Sequence, residues 1–280
     1  MMQEALDHLR TGEAAKSGIA AAVLLVLWML EALLPEYAAR RGRVKHDARN
    51  LALALLNVAM VAAVFARPLG AAADWAQRGS IGLVRMADLP PWLRWTAALV
   101  LFDLWMYVWH RMNHRIPALW RFHRVHHSDA DMDASTALRF HTGEIALSSI
   151  ARFAAIPAIG ISLPQLLVYE AVLLPVILFH HSNVRIPGWL DRPLRVLIVT
   201  PWMHRMHHSR LVAETDSNYS SVLSVWDRVF ASFTPPRPPA EVDLGLTTYG
   251  TGTWEKFGQT LAIPFRDPSS RESDRERIGE

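Results

Sequence analysis

Residues 102–127 read FDLWMYVWHRMNHRIPALWRFHRVHH, an apolar run that ends in histidines, is broken by a proline, and leads at once into a second histidine cluster. Asp103, Tyr107, His110 and His114 follow one another at intervals of four, three and four residues. At 3.6 residues per turn they fall within an arc of about 60° on one helix face. An acidic residue inside an apolar span is costly and usually functional, so Asp103 is a candidate to orient a ligating imidazole, with Tyr107 on the same face. His123, His126 and His127 then form an H-R-x-H-H motif that recurs at His204, His207 and His208. Residues three and four apart share a helix face, so each cluster can offer imidazoles to a metal from a single helix.

Working outward from this stretch, eleven of the 13 histidines lie between positions 110 and 208, and eight of them form the three compact groups 110/114, 123/126/127 and 204/207/208. Scatter does not produce that pattern, and a merely solvated basic face has no reason to use H-R-x-H-H twice. Neutral imidazole is the commonest protein ligand for zinc, copper, iron and nickel. Eight ligands exceed what one ion takes, so two ions sharing the set is the simplest arithmetic. The isolated His8 and His46 are assigned no role. With no cysteine in the chain, disulfides, thiolate-ligated haem, cysteine-bound iron–sulfur clusters and a cysteine nucleophile are excluded.

Hydrophobic residues make up 51% of the 280 and charged residues only 20%, which argues for a bilayer rather than water around much of the chain. The net charge of +3 comes from scattered basic residues. That suits loops near anionic lipid and not nucleic acid. Five apolar stretches stand out, at 18–34, 51–66, 92–109, 145–161 and 165–181. Each would span about 24 to 27 Å, slightly short of the roughly 30 Å hydrocarbon core. The last two are separated by little more than Ser162, Leu163 and Pro164, the signature of a tight helical hairpin. The expected fold is an all-α integral membrane bundle of four to five helices with a histidine-rich cytosolic helical cap. It occupies residues 1–265 and is followed by a charged, disordered tail over 266–280. The acidic start of the chain, with Glu4, Asp7 and Glu13, disfavours a removable signal peptide. Arg40, Arg41, Arg43, Lys45 and Arg49 place the first loop in the cytoplasm by the positive-inside rule, which puts all three histidine groups on that face too. Glu170 and His181, eleven residues apart on the fifth stretch, are a further candidate pair.

In these motifs the chain resembles the fatty acid hydroxylase and sterol desaturase superfamily. The resemblance rests on His110, Arg111 and His114; on His123, Arg124, His126 and His127; and on His204, Arg205, His207 and His208. It extends to Arg139, His141 and Glu144, to His181 with Asn183, and to Asp216, Asn218, Tyr219, Trp226 and Asp227. The resemblance implies two iron ions on the eight core histidines together with His141 and His181, with His180 a neighbour and with Asn183 and Asn218 as supporting residues. It also implies dioxygen as co-substrate, a membrane lipid or sterol as substrate, and hydroxylation or desaturation as the outcome. No haem, dinucleotide or iron–sulfur motif is visible, so electrons should come from a separate electron-transfer protein. Zinc could replace iron on purification, because imidazole sites accept it readily. Thr142, Ser220 and the Phe230-Ala231-Ser232 run depart from the family pattern at turns rather than at ligands.

Two rivals use the same residues. A membrane zinc hydrolase would activate water at the imidazoles, but H-E-x-x-H is absent and the ligand number is high for one catalytic zinc. A metal transporter or sensor would need ligands along a pathway through the bilayer, whereas these cluster at one end. The sequence leaves the oligomeric state open.

Overall fold

The computed structural model describes residues 2–38, 42–249 and 252–266. Arg40, Arg41 and the tail beyond 266 lie outside the described residues. Helices α1 (Met2–Leu33) and α2 (Arg43–Met60) are followed by a π-helical turn, Val61–Phe65, that runs directly into α3 (Ala66–Arg78). Pro68 accounts for the widened turn, since its ring would collide with the carbonyl of Val64 in a regular helix and it has no N–H to donate. A short α4 (Leu83–Met86) leads to α5 (Pro91–Arg115), α6 (Pro117–His127), α7 (Thr142–Ile159) and α8 (Leu163–His181). The remainder is made of shorter pieces: α9 (Gly188–Leu197), α10 (Pro201–His207), α11 (Val212–Thr215), α12 (Val225–Val229) and α13 (Phe257–Ala262). Among the described residues there is no strand, only isolated bridges such as Ile198 with Leu223.

Three helical segments are long and apolar enough to cross a membrane: Thr11–Leu33, Arg43–Met86 and Leu163–His181. Their outer faces are exposed, with Leu25, Leu33, Leu55, Val58 and Val64 among the large side chains left uncovered. Such surfaces need lipid as their solvent. The expected stretches 92–109 and 145–161 do form helices, the first within α5 and the second up to the end of α7 at Ile159, but fall short of the same apolar composition. The interhelical core explains why: α5 buries Asp103 and α7 buries Glu144 and Ser149 against their neighbours. Leu69, Ala73, Ala98, Phe102, Ile156, Ile161, Leu166 and Leu173 knit α3, α5, α7 and α8 into one apolar cluster.

The expected hairpin is present. Gly160 ends α7 with φ 82°, a left-handed conformation that glycine adopts without a side-chain penalty. Ser162 and Gln165 form a reciprocal cap that starts α8. A Cβ on Gly82 would lie 2.3 Å from the Gly160 nitrogen, so glycine there lets the α3–α4 turn press against the hairpin. Arg85 fastens the contact by donating to the Gly160 carbonyl at 2.7 Å.

Candidate metal centre and adjoining cavity

Pro117 forces Ile116 into an extended conformation, φ −98° and ψ 113°, so the chain turns sharply between α5 and α6. That corner brings the last turn of α5 alongside α6 and sets His110 Nε2 3.2 Å from His123 Nε2. On the other side, Thr200 caps α10 and Pro201 starts it, while α8 ends at His181. The ends of four helices therefore meet at one point.

Nine imidazoles gather there in two groups, His110, His114, His123, His127 and His207 in one and His126, His181, His204 and His208 in the other. Within each group the available ligand atoms lie within 4.8 Å of one another. The expectation that each motif serves a metal from one helix is not what the structure shows. Each H-R-x-H-H motif straddles both groups: His123 and His127 join the first while His126 joins the second, and His204 and His208 join the second while His207 joins the first. Residues i and i+4 point together, and residue i+3 turns far enough away to reach the neighbouring group.

Hydrogen bonds fix how several rings are protonated. Nδ1 of His110 lies 2.8 Å from the Tyr219 carbonyl, Nδ1 of His207 is 2.7 Å from that of Ser217, and Nδ1 of His181 is 2.6 Å from that of Ile177. A carbonyl only accepts, so each Nδ1 carries the proton and, in a neutral ring, each Nε2 presents a lone pair. His123 Nδ1 donates in the same way to Glu144 Oε1 at 2.7 Å. Nε2 of His110 thus faces Nε2 of His207 at 3.0 Å, lone pair to lone pair, and lies 3.2 Å from Nε2 of His123. Two acceptors that close repel unless a cation lies between them. Burial, reinforced by the neighbouring His110 and His208 rings, holds His207 well below the ordinary imidazole pKa, and burial beside His208 and His207 does the same to His127. These rings are therefore neutral and ready to ligate. His208 is fully buried and neither of its nitrogens has a hydrogen-bond partner. A buried, all-nitrogen set with converging lone pairs fits bound metal.

Other residues expected near the metals have different partners. His141 caps α7, its Nδ1 accepting from the Gly143 amide at 2.8 Å and its Nε2 3.2 Å from the Leu261 carbonyl, so the structure does not bring it to either group. Asp103 accepts from Tyr169 at 2.7 Å, Trp226 Nε1 at 2.8 Å and the Leu223 amide at 3.1 Å, tying α5 to α8, to α12 and to the segment before it. Tyr107 meets Ser232 Oγ and Arg111, Asn183 pairs with the Tyr37 backbone, and Asn218 bonds Met203 and Thr234. None of these four makes a hydrogen bond to an imidazole. Glu170 pairs with Lys16 and Arg152 rather than with His181. His180 stacks on His204 with ring centres 4.0 Å apart, the neighbour position expected of it.

Sequence reasoning gave Glu144 no orienting role and His46 no role at all. His46 is buried, with Nε2 2.9 Å from both oxygens of Asp129, and with Asp47 and Asp133 both 3.3 Å from Nδ1. Burial by itself would raise Asp129, but the adjacent His46 ring holds its carboxyl well below the usual range. Arg139 bonds Asn50 in the same network and reaches the Val125 carbonyl and Ser128, securing the end of α6 that bears His123, His126 and His127. The arginines of the two H-R-x-H-H motifs are structural. Arg124 donates to the Ile263 carbonyl at 2.6 Å, and Arg205 donates to the Ser182 carbonyl at 2.9 Å.

A cavity of about 290 Å³ opens beside the two groups. His110, His123, His126, His181 and His204 border it at one end, and Val58, Met106, Leu173, Leu174 and Ile177 give it apolar walls. Its volume and lining suit a hydrocarbon chain laid against the imidazoles.

Residues 95–232, which include every histidine of both groups, match the model of the fatty acid hydroxylase family. The chain is 32% identical over 185 residues to an ornithine lipid hydroxylase of Rhizobium tropici, covering 65% of this chain and 52% of that protein. It is 33% identical over 157 residues to human alkylglycerol monooxygenase, covering 53% of this chain and 33% of the relative. Human cholesterol 25-hydroxylase is 24% identical over 148 residues, about half of each chain. The matched region thus spans about a third to a half of these relatives' own lengths. No solved structure matches the chain. The family match lies across the whole histidine assembly, and residues 95–232 of this chain belong to the fatty acid hydroxylase family.

Proposed function

We propose that this protein is a membrane-embedded di-iron oxygenase that hydroxylates a lipid or sterol-like molecule, with dioxygen as co-substrate and electrons from a separate donor protein. The observation that carries the reading is the joining of two imidazole groups to one apolar cavity. The first group would hold one ion through His110, His114, His123, His127 and His207, and the second would hold another through His126, His181, His204 and His208. Iron bound there supplies dioxygen activation for attack on an unactivated C–H bond. The Tyr219 and Ser217 carbonyls and Glu144 hold the rings so that Nε2 faces inward. The apolar walls exclude water and lay a substrate carbon beside the imidazoles. The matched relatives are named as hydroxylases and monooxygenases, which supports hydroxylation over desaturation. The orientation that fits the arginine-rich first loop puts the metal end at the cytoplasmic face, where an acidic electron carrier can dock.

The test is metal content together with lipid-dependent oxygen uptake, on protein from iron-supplemented cells given a reductant and a membrane lipid extract. Iron in both groups, uptake lost in His126→Ala and His207→Ala, and a lipid product heavier by one oxygen are expected. Zinc alone, with no uptake after iron reconstitution and several electron donors, would move the assignment to a zinc hydrolase.

A further inference from the structure

The end of the cavity away from the histidines is built for something other than hydrocarbon. One face of α7 lines the cavity with Glu144, Ser148 and Arg152, three residues at four-residue intervals. Glu144 holds His123, so Ser148 lies about 6 Å and Arg152 about 12 Å farther along the helix from the metal end. Arg152 donates through Nη1 to Glu170 Oε1 at 2.6 Å, and its Nη2, on a side chain that is 19% exposed, has no hydrogen bond among the described residues. The Ser148 hydroxyl has no hydrogen bond among the described residues, although the adjacent Ser149 satisfies its own on the Ile145 carbonyl at 2.7 Å. Two donors therefore line a stretch of wall whose neighbours are Leu173 and Leu174.

The charge around this end is already balanced. Lys16 lies 2.7 Å from both Glu13 and Glu170, and Arg152 shares Glu170. Two cations face two carboxylates. An anionic substrate group would bring an unmatched charge into apolar surroundings, and a plain hydrocarbon would leave both donors unsatisfied. An uncharged acceptor satisfies them at no electrostatic cost.

We propose that Ser148 and Arg152 form a subsite for the single uncharged oxygen function, a hydroxyl or carbonyl, of an otherwise apolar lipid, and that the helical rise between Arg152 and Glu144 sets which carbon meets the metals. The subsite stands on the cavity geometry, while the ruler rests on the oxygenase reading above. Both α7 residues act on substrate position. They are specificity determinants, and neither is hydrogen-bonded to an imidazole of the two groups.

The experiment is equilibrium binding of radiolabelled hexadecanol, hexadecane and hexadecanoate to the full-length, iron-loaded protein in phosphatidylcholine nanodiscs, without oxygen or reductant. Hexadecanol should bind at least about tenfold more tightly than the other two, the effect of hydrogen bonds to otherwise unpaired donors. Ser148→Ala and Arg152→Gln should each erode that preference with hexadecane binding and iron content unchanged. Arg152→Gln also releases Glu170, so Ser148→Ala, which leaves the ion pair intact, carries the decision. Equal affinity for alcohol and alkane, tightest binding of the carboxylate, or undiminished preference in both variants would overturn the subsite. With oxygen and reductant restored, hydroxylation in the chain interior supports the ruler, and oxidation at the carbinol carbon refutes it. Alcohol-selective binding without any oxidised product would refute the oxygenase reading and leave the subsite standing.

Discussion

The two histidine groups are built from the same motifs but held in different ways. In the first, three of five rings have Nδ1 anchored, to the Tyr219 and Ser217 carbonyls and to Glu144, and His114 Nδ1 lies 3.4 Å from Asp216. In the second only His181 is anchored, to the Ile177 carbonyl, while Nδ1 of His126, His204 and His208 is buried without a partner. Those rings are held by stacking instead. His126 lies nearly parallel to Phe140 with centres 4.4 Å apart, His204 lies on His180, and His208 lies on His127. A hydrogen bond from Nδ1 fixes both the tautomer and the bearing of Nε2, whereas a stacked ring keeps its plane but can choose which nitrogen is protonated. On the proposed reading, metal would find the first group already organised and would complete the second.

The largest expected effect comes from ligand removal. His207→Ala should empty the anchored group and abolish turnover, whereas His208→Ala should leave that group loaded, so metal analysis of the two variants separates the sites. Graded chelation of the native protein should be biphasic, the stacked group emptying first. Simultaneous loss from both would break the distinction drawn above.

Acidification should act next. Burial holds His126, His127, His204, His207 and His208 well below the ordinary imidazole pKa, with neighbouring rings adding to the shift. The unfolded chain therefore binds protons that the folded chain refuses once pH falls below about 6.5, so stability is full above that value and declines beneath it. Thermal melts and retained metal followed from pH 8 downward, roughly across the imidazole range, check the sign. Stability that rises on acidification would contradict neutral, buried rings.

Glu144→Gln should lower metal affinity in the anchored group by about 10- to 100-fold, the usual consequence of losing a partner that orients a ligand. The stacked group should keep its affinity, which competition against a chromophoric chelator reads directly. The smallest effect belongs to His141→Ala. Because His141 caps α7 and stands outside both groups, metal content should not change and stability should fall by only about 1 kcal/mol.

Much of the site is legible in the primary structure because helix periodicity carries it. Histidines at 110 and 114, and the repeated H-R-x-H-H, announce ligands, since no other use of that spacing explains it twice. The hairpin at Gly160 to Pro164 is legible for a similar local reason. Glu144 is harder, because a carboxylate seventeen residues beyond His127 has no periodic relation to it. The Tyr219, Ser217 and Ile177 carbonyls carry no signal at all, since every residue has one. Asp103 illustrates the opposite error. Its helical register with His110 and His114 is real, yet its carboxylate turns to Tyr169, Trp226 and Leu223, contacts that only the packing of α8 and the chain near α12 could supply.

The sequence by itself determined the chemistry available to this protein: nitrogen ligands without thiolates, enough imidazoles for more than one ion, and apolar helices that need lipid around them. These follow from side-chain type and from the 3.6-residue period, which are local properties. Only the tertiary structure decided how the ligands divide. Residue i+3 of each motif points away from its i and i+4 partners by an amount that matters only when a second group stands on that side. The first group is assembled from α5, α6 and α10 and the second from α6, α8 and α10, whose relative positions depend on long-range packing.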